Sequence, residues 1–384
     1  MSFAKAKISS LKLDIKNKYQ GQDDKVWLLN LDQIEQNTGK IILKEYVNLS
    51  EIGNSTHYFT KGTVLYSKLR PYLNKVVIAD EDGFATTELV PINCDLLKVN
   101  PEYLAYFLRS EVFLTFATNV VAGAKMPRMV MGEFWNYEIP LPPLAEQRRI
   151  ASILDQADEL RQKRQQAIDK LDQLLQATFI EMFGDPVSNP KGWEVGCIGD
   201  MLESVKYGSS DKATLEGEIP ILRMNNLTYS GEMDLRDLKY ITKVQADEKY
   251  LVKEGDILFN RTNSKELVGK TAVYVGPEPM AYAGYLVRGR TKENFAPEYI
   301  SAFLNSPWGK EKLQSMCKSI VGMANINAKE FQSIVLPIPP ENEQMHFRAR
   351  VLAIREKKQL LVNQSNVFET LFKSLQNQAF NGTL

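Results

Sequence analysis

The side chains that most often act in catalysis or metal binding are few in this 384-residue sequence and stand far apart. The histidines are His57 and His346, and the cysteines are Cys94, Cys197 and Cys317, with no Cys-x-x-Cys pair. A metal site needs several such ligands at fixed spacings, and a nucleophile needs a base beside it. The sequence therefore predicts neither a metal site nor a nucleophile–base pair.

One segment comes near to a phosphate-binding loop. Ser264–Thr271 reads SKELVGKT, with serine in place of the first glycine, and it lies between two predicted strands instead of before a helix. We interpret this match as accidental. The sequence also lacks a Gly-x-Gly-x-x-Gly fingerprint after a strand, and its Pro-Pro pairs lack the flanking residues of an amino-methyltransferase motif. The sequence thus favours a protein that binds and positions other molecules and is not an enzyme.

The chain consists of two loosely similar copies. Leu141–Gln147 (LPPLAEQ) returns as Ile338–Gln344 (IPPENEQ), so that Glu146 and Glu343 stand 197 positions apart. Further matches at nearly the same offset pair Lys61–Leu65 with Glu254–Leu258, Pro101–Leu108 with Pro297–Leu304, and Glu133-Phe134 with Glu330-Phe331. Chance similarity is a poor explanation for several ordered matches at one offset, and a single long period indicates two copies of one structural unit.

Each copy is predicted to be a mixed α/β globule followed by one long helix, which makes the fold class α+β. Strands are predicted at 26–31 and 40–48 around the turn Asn37–Lys40, at 62–65 and 75–79, and in the second copy at 219–223, 256–259 and 271–275. Asn100-Pro101-Glu102 is typical of a helix start, because Asn caps, Pro fits the first position and Glu favours the positive end. In the second copy helices are predicted to begin at Pro297 and after Ser306.

A cluster of prolines ends each globule, at 140–143 and at 337–340. Proline interrupts sheets and helices, so each cluster is either a surface loop or a stiff elbow between globule and helix. Its presence before both long helices favours the elbow.

The two long helices carry apolar residues at seven-residue intervals, and neither Ala145–Phe183 nor Gln344–Phe380 contains glycine or proline. Such heptads predict a coiled coil. Its rows are Ile150, Ala157, Arg164, Leu171 and Thr178; Ile153, Leu160, Ala167 and Leu174; and Phe347, Ile354, Leu361, Phe368 and Leu375. We expect the helices to pair within the chain and antiparallel, related by a pseudo-twofold axis, since the second globule lies between them in sequence.

The predicted helix length suggests a spacing role. About 38 residues at roughly 1.5 Å each make a rod of about 57 Å, and major-groove sites one turn apart lie roughly 34 Å from each other. The paired helices could therefore set the distance between two DNA sites. Helices that only dimerise the protein are the alternative.

Composition limits the class of protein further. Lys+Arg and Asp+Glu number 47 each, so net charge neither supports nor excludes nucleic-acid binding, for which a local basic face suffices. The 44% hydrophobic and 24% charged residues are typical of a globular protein, here long enough for two domains. No apolar run approaches the roughly 20 residues of a membrane helix, and no signal-peptide core is present. Scattered cysteines suit a reducing compartment, so we expect a cytoplasmic protein without a membrane partner.

The proline cluster and the helix after it also resemble a known family. The run Ile139–Ala151 (IPLPPLAEQRRIA), followed by Leu154-Asp155 and by Phe179–Asp185 (FIEMFGD), closely resembles the central conserved region of type I restriction–modification specificity subunits. The second copy resembles their distal conserved region, so that the resemblance spans essentially the whole chain. It implies target recognition domains at 1–140 and 186–336, and conserved long helices at 141–185 and 337–384.

The resemblance implies the function as well. Each recognition domain would read one half of a bipartite site in double-stranded DNA, and the paired helices would set the spacer and dock two modification subunits. Those subunits would carry S-adenosylmethionine and methylate adenine, and restriction subunits would add translocation and cleavage with ATP and Mg. This chain would bind no cofactor itself. The second copy departs from the pattern, because AEQRRI at 145–150 becomes NEQMHF at 342–347, which puts identical docking of the two modification subunits in doubt.

Base reading needs Arg, Lys, Asn, Gln, Ser or Thr on loops that face a groove, and phosphate contacts need cations. The candidates in the first copy are Lys68, Arg70, Tyr72, Asn74, Lys75, Lys125 and Arg128. Those in the second are Arg223, Asn225, Asn226, Asn260, Arg261, Thr262, Asn263, Ser264, Lys265, Asn325 and Asn327. Any one of them could be a solvated loop residue, but their grouping at equivalent places in both copies favours contact.

Two other functions stay open from the sequence. One is a non-catalytic coiled-coil scaffold that assembles another DNA-processing complex without reading sequence. The other is an enzyme whose site follows no recognised motif.

Overall fold

The computed structural model describes residues 3–14, 19–21, 24–320 and 323–384, with side chains described throughout except at 318–320. The chain divides into two compact units. Unit 1 comprises Met1–Gln165 and Asn363–Leu384, and unit 2 comprises Gln166–Val362. Each unit therefore contains one part of each of the two long helices, α4 (Leu144–Phe183) and α9 (Glu341–Asn381). No helix in the described ranges is both long and apolar enough to cross a bilayer.

Unit 1 is built on one four-stranded and one three-stranded sheet, in the orders β3-β2-β7-β4 and β6-β5-β8. Strands β2 and β7 run parallel, and the other pairs within these sheets are antiparallel. The strands are β1 Lys5–Lys7, β2 Lys25–Leu29, β3 Glu45–Asn48, β4 Thr56–Phe59, β5 Val64–Ser67, β6 Val76–Ile78, β7 Gly83–Thr86, β8 Leu89–Ile92, β9 Val121–Ala122, β10 Arg128–Met129 and β11 Glu138–Pro140. The helices besides α4 are α1 Pro101–Leu108, α2 Glu111–Asn119 and α3 Met131–Asn136.

Unit 1 also has the strand pairs β1-β11 and β10-β9, and unit 2 shares the central pairings of unit 1 but differs in the number of strands in its sheets. Its sheets have the orders β13-β20-β16-β18, β15-β14-β19, β17-β22-β21 and β12-β23. The strands are β12 Glu194–Cys197, β13 Leu202–Tyr207, β14 Ile219–Leu222, β15 Lys239–Ile241, β16 Ile257–Asn260, β17 Thr262–Asn263, β18 Thr271–Val273, β19 Ala281–Tyr282, β20 Leu286–Thr291, β21 Lys318–Ile320, β22 Met323–Asn325 and β23 Val335–Ile338. The helices besides α9 are α5 Ile198–Met201, α6 Pro297–Asn305, α7 Pro307–Met316 and α8 Ala328–Gln332.

The same connections recur in both units. Strand β16 lies between β18 and β20 as β5 lies between β6 and β8, and β14 pairs parallel with β19 as β2 does with β7. In each unit a pair of helices and a short helix before the last strand follow in the same order. The prediction of two similar mixed α/β copies is thereby confirmed.

The predicted helix starts are confirmed, whereas one predicted strand is too long. The Asn100 side chain accepts a hydrogen bond from the backbone N–H of Tyr103 (2.8 Å), and the Ser306 hydroxyl accepts one from Gly309 (3.1 Å). The strand predicted at 40–48 forms only over Glu45–Asn48. Ile42 and Leu43 suggested a strand by their apolar character, but they are about 60% exposed and contribute no buried strand face.

In unit 2 the two long helices close the core and run antiparallel. Phe183 and Phe179 of α4 lie against Phe347 of α9, with ring centroids 5.2 and 5.9 Å apart. Earlier on α4, Asp172 forms an ion pair with Lys358, which is later on α9. Phe347 is fully buried, and removal of such a ring typically costs about 3–5 kcal/mol, so the helices are part of this core and not appendages.

Unit 1 shows the same antiparallel order at the other helix ends. Arg149 near the start of α4 donates from Nη2 to the main-chain oxygen of Leu384 (2.9 Å). Arg161, twelve residues further along, pairs with Glu369 of α9 (3.0 Å) and lies over the ring of Phe372 (4.5 Å). The predicted antiparallel pairing of the two helices within the chain is thus found in each unit.

One predicted heptad row is wrong. Leu160 and Leu174 are 54% and 47% exposed, although the pattern placed them in the helix seam. The residues buried instead are Leu154 and Ile168, together with Met182, so the true row is displaced by one residue. The prediction misses this row because its second position is Arg161, a largely covered polar residue that an apolar pattern passes over. In the row predicted for α9, Phe347 and Leu361 are buried, and Ile354, Phe368 and Leu375 are half-buried.

The repeated glutamine of the proline motif holds each elbow. Gln147 is fully buried, and its Nε2 donates to the carbonyls of Pro142 (2.8 Å) and Lys98 (3.0 Å) while its Oε1 accepts from the backbone of Asn100 (2.8 Å). Gln344 donates likewise to Pro339 (2.8 Å) and accepts from Ala296 (3.2 Å).

A buried tyrosine completes each elbow. The hydroxyl of Tyr103 donates to the carbonyl of Pro140 (2.8 Å), and that of Tyr299 donates to Pro337 (2.6 Å). Burial raises the pKa of both tyrosines, so they stay protonated donors. Since proline carbonyls are tied to the globule in both copies, the structure favours stiff elbows over simple surface loops.

We expect Gln147→Leu and Gln344→Leu each to lower the free energy of unfolding by about 2–4 kcal/mol. Leucine has a similar size but leaves buried carbonyl and N–H groups without partners, at about 1–3 kcal/mol for each group. Chemical denaturation followed by circular dichroism measures the change. Gln166→Leu at an exposed position of α4 is the control and is expected to change stability by less than about 0.5 kcal/mol. Equal stability of all three variants would show that the glutamines do not hold the elbows.

Candidate nucleic-acid interface

In unit 1 the two loop segments predicted to contact DNA lie side by side, although they are more than 50 residues apart in sequence. The backbone N–H of Arg70 donates to the carbonyl of Pro127 (2.8 Å), and that of Met129 donates to Lys68 (2.8 Å). A β-bridge joins Leu69 to Arg128. The segment that follows β5 and the hairpin of β9 and β10 therefore present their side chains from one place.

Several cationic and aromatic side chains are accessible at this place. Arg70 and Lys125 are exposed, Tyr72 is 48% exposed and Lys68 is half-buried. Arg70 has a left-handed backbone (φ 49°), which is unusual for a residue with a side chain and costs about 1–2 kcal/mol. Its backbone groups bond to Pro127 and Leu73, and these bonds hold the conformation. Strained backbone of this kind is often found at functional positions. We call Lys68, Arg70, Tyr72 and Lys125 the unit 1 loop surface.

Three predicted contact residues of unit 1 have structural partners instead. Asn74 is buried and donates from Nδ2 to the carbonyl of Arg109 (3.1 Å). Lys75 donates from Nζ to the carbonyl of Leu31 (2.7 Å). Arg128 forms a two-pronged ion pair with Glu88 through Nε and Nη2, at 3.1 and 3.0 Å. Asn74 and Lys75 therefore support the loop from inside, and the charge of Arg128 is offset by its partner.

Unit 2 assembles the equivalent segments in the same way. Thr262 of β17 pairs with Asn325 of β22, and the Asn325 side chain donates to the Thr262 hydroxyl (2.8 Å). The backbone N–H of Ile326 donates to the carbonyl of Arg261 (2.9 Å). The predicted segments 260–265 and 325–327 are thus neighbours.

Arg261 is the best-positioned cation of this region. Its guanidinium lies over the ring of Tyr207, 5.0 Å from the centroid, and its Nε donates to the carbonyl of Gly284 (3.1 Å). Within the described part of the chain neither Nη atom forms a hydrogen bond. The Tyr207 hydroxyl accepts from the backbone of Ala328 (3.0 Å), so its ring is fixed as well. Tyr207 was missed by the sequence analysis because no local pattern links it to a residue 54 positions away.

Other predicted residues of unit 2 are buried in its framework. Asn260 is 0% exposed, and Asn226, also buried, donates to the carbonyls of Asp234 (2.8 Å) and Asp237 (2.9 Å). Thr262 is buried beneath Asn325. Asn327 caps α8, with its Oδ1 accepting from the backbone of Lys329 (2.9 Å) and Glu330 (3.0 Å). These four side chains are not available to a base edge, because their polar groups face the protein interior or a helix end.

In the loop at 223–226 of unit 2, an acidic side chain offsets the positive charge of Arg223. Arg223 donates from Nη2 to the Asp237 carboxylate (3.0 Å), and Asn225 donates to the same carboxylate (2.6 Å). Asn225 is nevertheless exposed, whereas the Arg223 side chain is largely covered. The accessible residues in this unit are Asn225, Arg261, Asn263, Ser264, Lys265 and Asn325, which we call the unit 2 loop surface.

Lys270 shows why Lys75 was misassigned. It occupies the equivalent position in unit 2, and its Nζ donates to the carbonyls of Met224 (2.7 Å) and Leu227 (2.5 Å). Burial lowers the pKa of Lys270, as expected for an amine that is held by carbonyls and not by a carboxylate. The lysine after each central strand therefore anchors a loop of the second sheet in both copies.

In the described ranges, no group of three or more His, Cys, Asp or Glu side chains is arranged to hold a metal.

Comparison with known families gives one match that covers both copies. The family described as the type I restriction modification DNA specificity domain matches residues 7–170 and again residues 190–349. Each match includes one mixed α/β globule and the beginning of the long helix that follows it.

Among curated relatives, the EcoKI specificity subunit of a type I restriction enzyme from Escherichia coli (strain K12) is 26% identical over 303 residues. The match covers 73% of this chain and 65% of that subunit. The EcoDI specificity subunit from Escherichia coli is 28% identical over 156 residues, which are 40% of this chain and 34% of that subunit. The chain thus spans two thirds or less of the length of these relatives.

Two solved structures share the fold over nearly the whole chain. The S subunit of a type I restriction–modification system from M. genitalium gives a TM-score of 0.62 at 15% identity, over 98% of this chain and 96% of that chain. A chain from a study of assembly and conformational transition in a type I system gives 0.59 at 18% identity, over 100% and 98%. At these identities the likeness establishes the α+β fold alone.

Proposed function

Because the chain belongs to the type I restriction modification DNA specificity domain family, we propose that it is the sequence-specificity subunit of a type I restriction–modification complex. The observation that carries this proposal is the double match, one specificity domain in each half of the chain. Two diverged copies of one reading domain suit a bipartite DNA site with two different halves. The recognition domains would comprise residues 1–140 and 186–336.

The loop surfaces would make the contacts with double-stranded DNA. Arg70, Lys68 and Lys125 provide cations for phosphates or guanine edges, and Tyr72 adds a polar ring. In unit 2, both Nη atoms of Arg261 are without hydrogen bonds to the residues that the structure describes, and Asn263 and Asn325 offer amides, the side-chain type that pairs with adenine. Each surface combines residues from segments distant in sequence, as a protein that reads base edges requires.

The long-helix regions at 141–185 and 337–384 would set the spacer and dock two modification subunits. Helices α4 and α9 contain 40 and 41 residues, long for helices that only close a globular core. Their outer faces expose leucines at 160, 174, 352 and 360. Apolar side chains repeated along an exposed helix face suit burial by a partner protein. Restriction subunits would join this assembly.

The partner subunits would carry out catalysis. The family is defined by DNA specificity, which agrees with the prediction of a non-catalytic chain. S-adenosylmethionine, ATP and Mg are accordingly assigned to the modification and restriction subunits, with no cofactor on this chain. A turnover assay of the isolated chain with S-adenosylmethionine or ATP is expected to show no product.

Selection from random duplex pools tests the proposal. The chain is purified with its modification subunits, bound duplexes are separated by gel shift, and the retained DNA is sequenced. A specificity subunit is expected to enrich two short half-sequences at a fixed gap. Retention without enrichment of any sequence would favour the scaffold, which assembles a complex but does not read bases. Adenine methylation mapped in cells with and without this chain provides the same answer in vivo.

A further inference from the structure

Unit 2 contains a cavity of about 240 Å³ that no part of the proposed DNA-reading function uses. Helices α6 and α7, the loop at 229–232 and the unit 2 parts of α4 and α9 line it. The walls are mainly aromatic and aliphatic, with Phe179, Phe347 and Val351 buried and Tyr229 and Trp308 more accessible. A concave apolar site with a few polar groups is the usual form of a small-molecule site, and this volume lies below the roughly 300–1,000 Å³ of drug-sized ligands.

Two charged side chains reach this cavity with hydrogen-bonding atoms unused. Glu298 is 97% buried, and its Oε2 forms no hydrogen bond in the described ranges; the Nε of Arg348 is 3.6 Å away, too far for one. The Nε and Nη1 atoms of Arg355 are also buried without a hydrogen bond, although Nε lies 3.5 Å from Glu232. Unsatisfied buried polar atoms are costly, so a ligand that supplies a donor to Glu298 and an acceptor to Arg355 would stabilise the site.

Unit 1 fills the equivalent position with its own side chains. Tyr106 and Arg109 stand where unit 2 has Ala302 and Asn305, at the offset of 196 that relates α1 to α6. The Tyr106 hydroxyl donates to Asp155 (2.7 Å), and the Arg109 guanidinium lies over the Tyr106 ring at 4.6 Å. Ala302 and Asn305, which line the cavity in unit 2, are both smaller than the residues at the equivalent positions of unit 1.

We propose that this cavity binds a neutral, flat heteroaromatic ligand with an amino donor next to a ring-nitrogen or carbonyl acceptor, as on the hydrogen-bonding edge of a purine. The amino group would donate to Glu298, and the acceptor would receive from Arg355. The ring of Trp308, and the face of Tyr229 opposite the one that Lys310 covers (4.3 Å), provide surfaces on which a base can stack. A neutral ligand fits because the carboxylates that line the cavity are each paired with a cation: Glu298 with Arg348, Glu232 with Arg355 and Asp172 with Lys358. The ligand is either a free nucleoside or an unpaired base of a nucleic acid.

Ligand-observed NMR and calorimetry with the full chain test this site. Adenosine, guanosine and purine riboside, which has the ring and sugar of adenosine without the amino group, are titrated separately. We expect adenosine or guanosine to bind and purine riboside to bind roughly tenfold more weakly, the ratio that corresponds to one lost hydrogen bond. The absence of binding by adenosine, guanosine and a short single-stranded oligonucleotide at millimolar concentration overturns the proposal.

Variants tie binding to the cavity. Ala302→Tyr introduces the ring that unit 1 has at this position and is expected to weaken binding at least about tenfold, because the space is then occupied. Ser315→Tyr adds the same ring at an exposed position of α7 and is expected to leave the affinity unchanged. Glu298→Gln keeps the shape and removes the charge, with an expected weakening of several-fold. If Ala302→Tyr does not fold, Glu298→Gln decides, and an unchanged affinity in that variant overturns the proposal.

The same variants separate the two sources of the ligand and the two proposed functions. Binding of adenosine that is lost in Ala302→Tyr indicates a free nucleoside, and binding of only the oligonucleotide that is lost in this variant indicates an unpaired base. Both results support the site. Specific duplex recognition is expected to survive Ala302→Tyr, since the loop surface of unit 2 does not include α6. Failure of duplex recognition in the parent chain would affect the proposed function and leave the nucleoside titration interpretable.

Discussion

Removing one heptad from each long helix is expected to shorten the accepted DNA spacer by about two to four base pairs, while both half-sequences stay the same. Seven helical residues rise about 10.5 Å, and one base pair rises about 3.4 Å. Residues 161–167 of α4 and 363–369 of α9 are suitable, because these segments include the partners Arg161 and Glu369. A whole heptad also returns the apolar rows to the same helix face, so the pairing of the remaining segments is kept.

The spacer is read from adenine methylation in the presence of the modification subunits, on duplexes whose half-sites are separated by every gap over one helical turn. Deletion of 161–167 alone is the control. It leaves Glu369 without Arg161 and shifts one helix against the other, so we expect loss of stability and of recognition at every gap. Methylation by the double-deletion protein at the parent gap would contradict a spacing role of the helices.

Arg261→Ala and Arg70→Ala are each expected to weaken specific DNA binding of the assembled complex by about 1–3 kcal/mol and to relax the preference for one base of the site. The effect should be clear for Arg261, because Tyr207 and Gly284 already fix its guanidinium. Its side chain therefore loses little conformational entropy when DNA binds. Each variant should affect only the half-site that its own unit reads. Methylation rates on a set of singly altered duplexes measure both effects.

Lys125→Ala and Lys163→Ala serve as matched controls for the loss of one positive charge. Lys125 is exposed on the unit 1 loop surface, and its replacement by alanine is expected to weaken binding to all sequences alike. It should also reduce the slope of the logarithm of the binding constant against the logarithm of the salt concentration by about one. Lys163 is exposed on α4 and paired with Glu159, and its removal is expected to have no effect on sequence preference. Arginine variants that methylate the parent site at the parent rate would remove Arg261 and Arg70 from the interface.

Features of this chain that depend on neighbouring residues were predictable from its sequence, whereas features that depend on distant residues were not. The helix starts at Pro101 and Pro297 were predictable because a cap, a proline and an acidic residue act within a single turn. The pairing direction of the long helices followed from the order of the copies in the chain. One of the two rows of α4 was placed one residue away from its true position, because Arg161 stands in the row of Leu154, Ile168 and Met182 and interrupts its apolar pattern.

The candidate contact residues show the limit of the sequence more clearly. Asn260 and Asn263 are three positions apart and chemically identical, yet only the first is fully buried. Arg128 and Arg70 look alike in sequence, but Glu88, a residue 40 positions from Arg128, neutralises only that arginine. Accessibility and charge pairing depend on contacts between distant segments, which local spacing does not encode.

The sequence by itself determined that the chain has two copies of one α+β unit, that proline clusters precede two long heptad helices, and that no Gly-x-Gly-x-x-Gly fingerprint follows a predicted strand. These features follow from the spacing of residues along the chain and from residue types, such as proline, that affect the backbone within a few positions. Only the tertiary structure decided which polar loop residues are accessible, that Tyr207 orders Arg261, and that Ala302 and Asn305 leave a cavity where Tyr106 and Arg109 fill the other copy. The reason is that each of these depends on which side chains from remote parts of the chain come within contact distance.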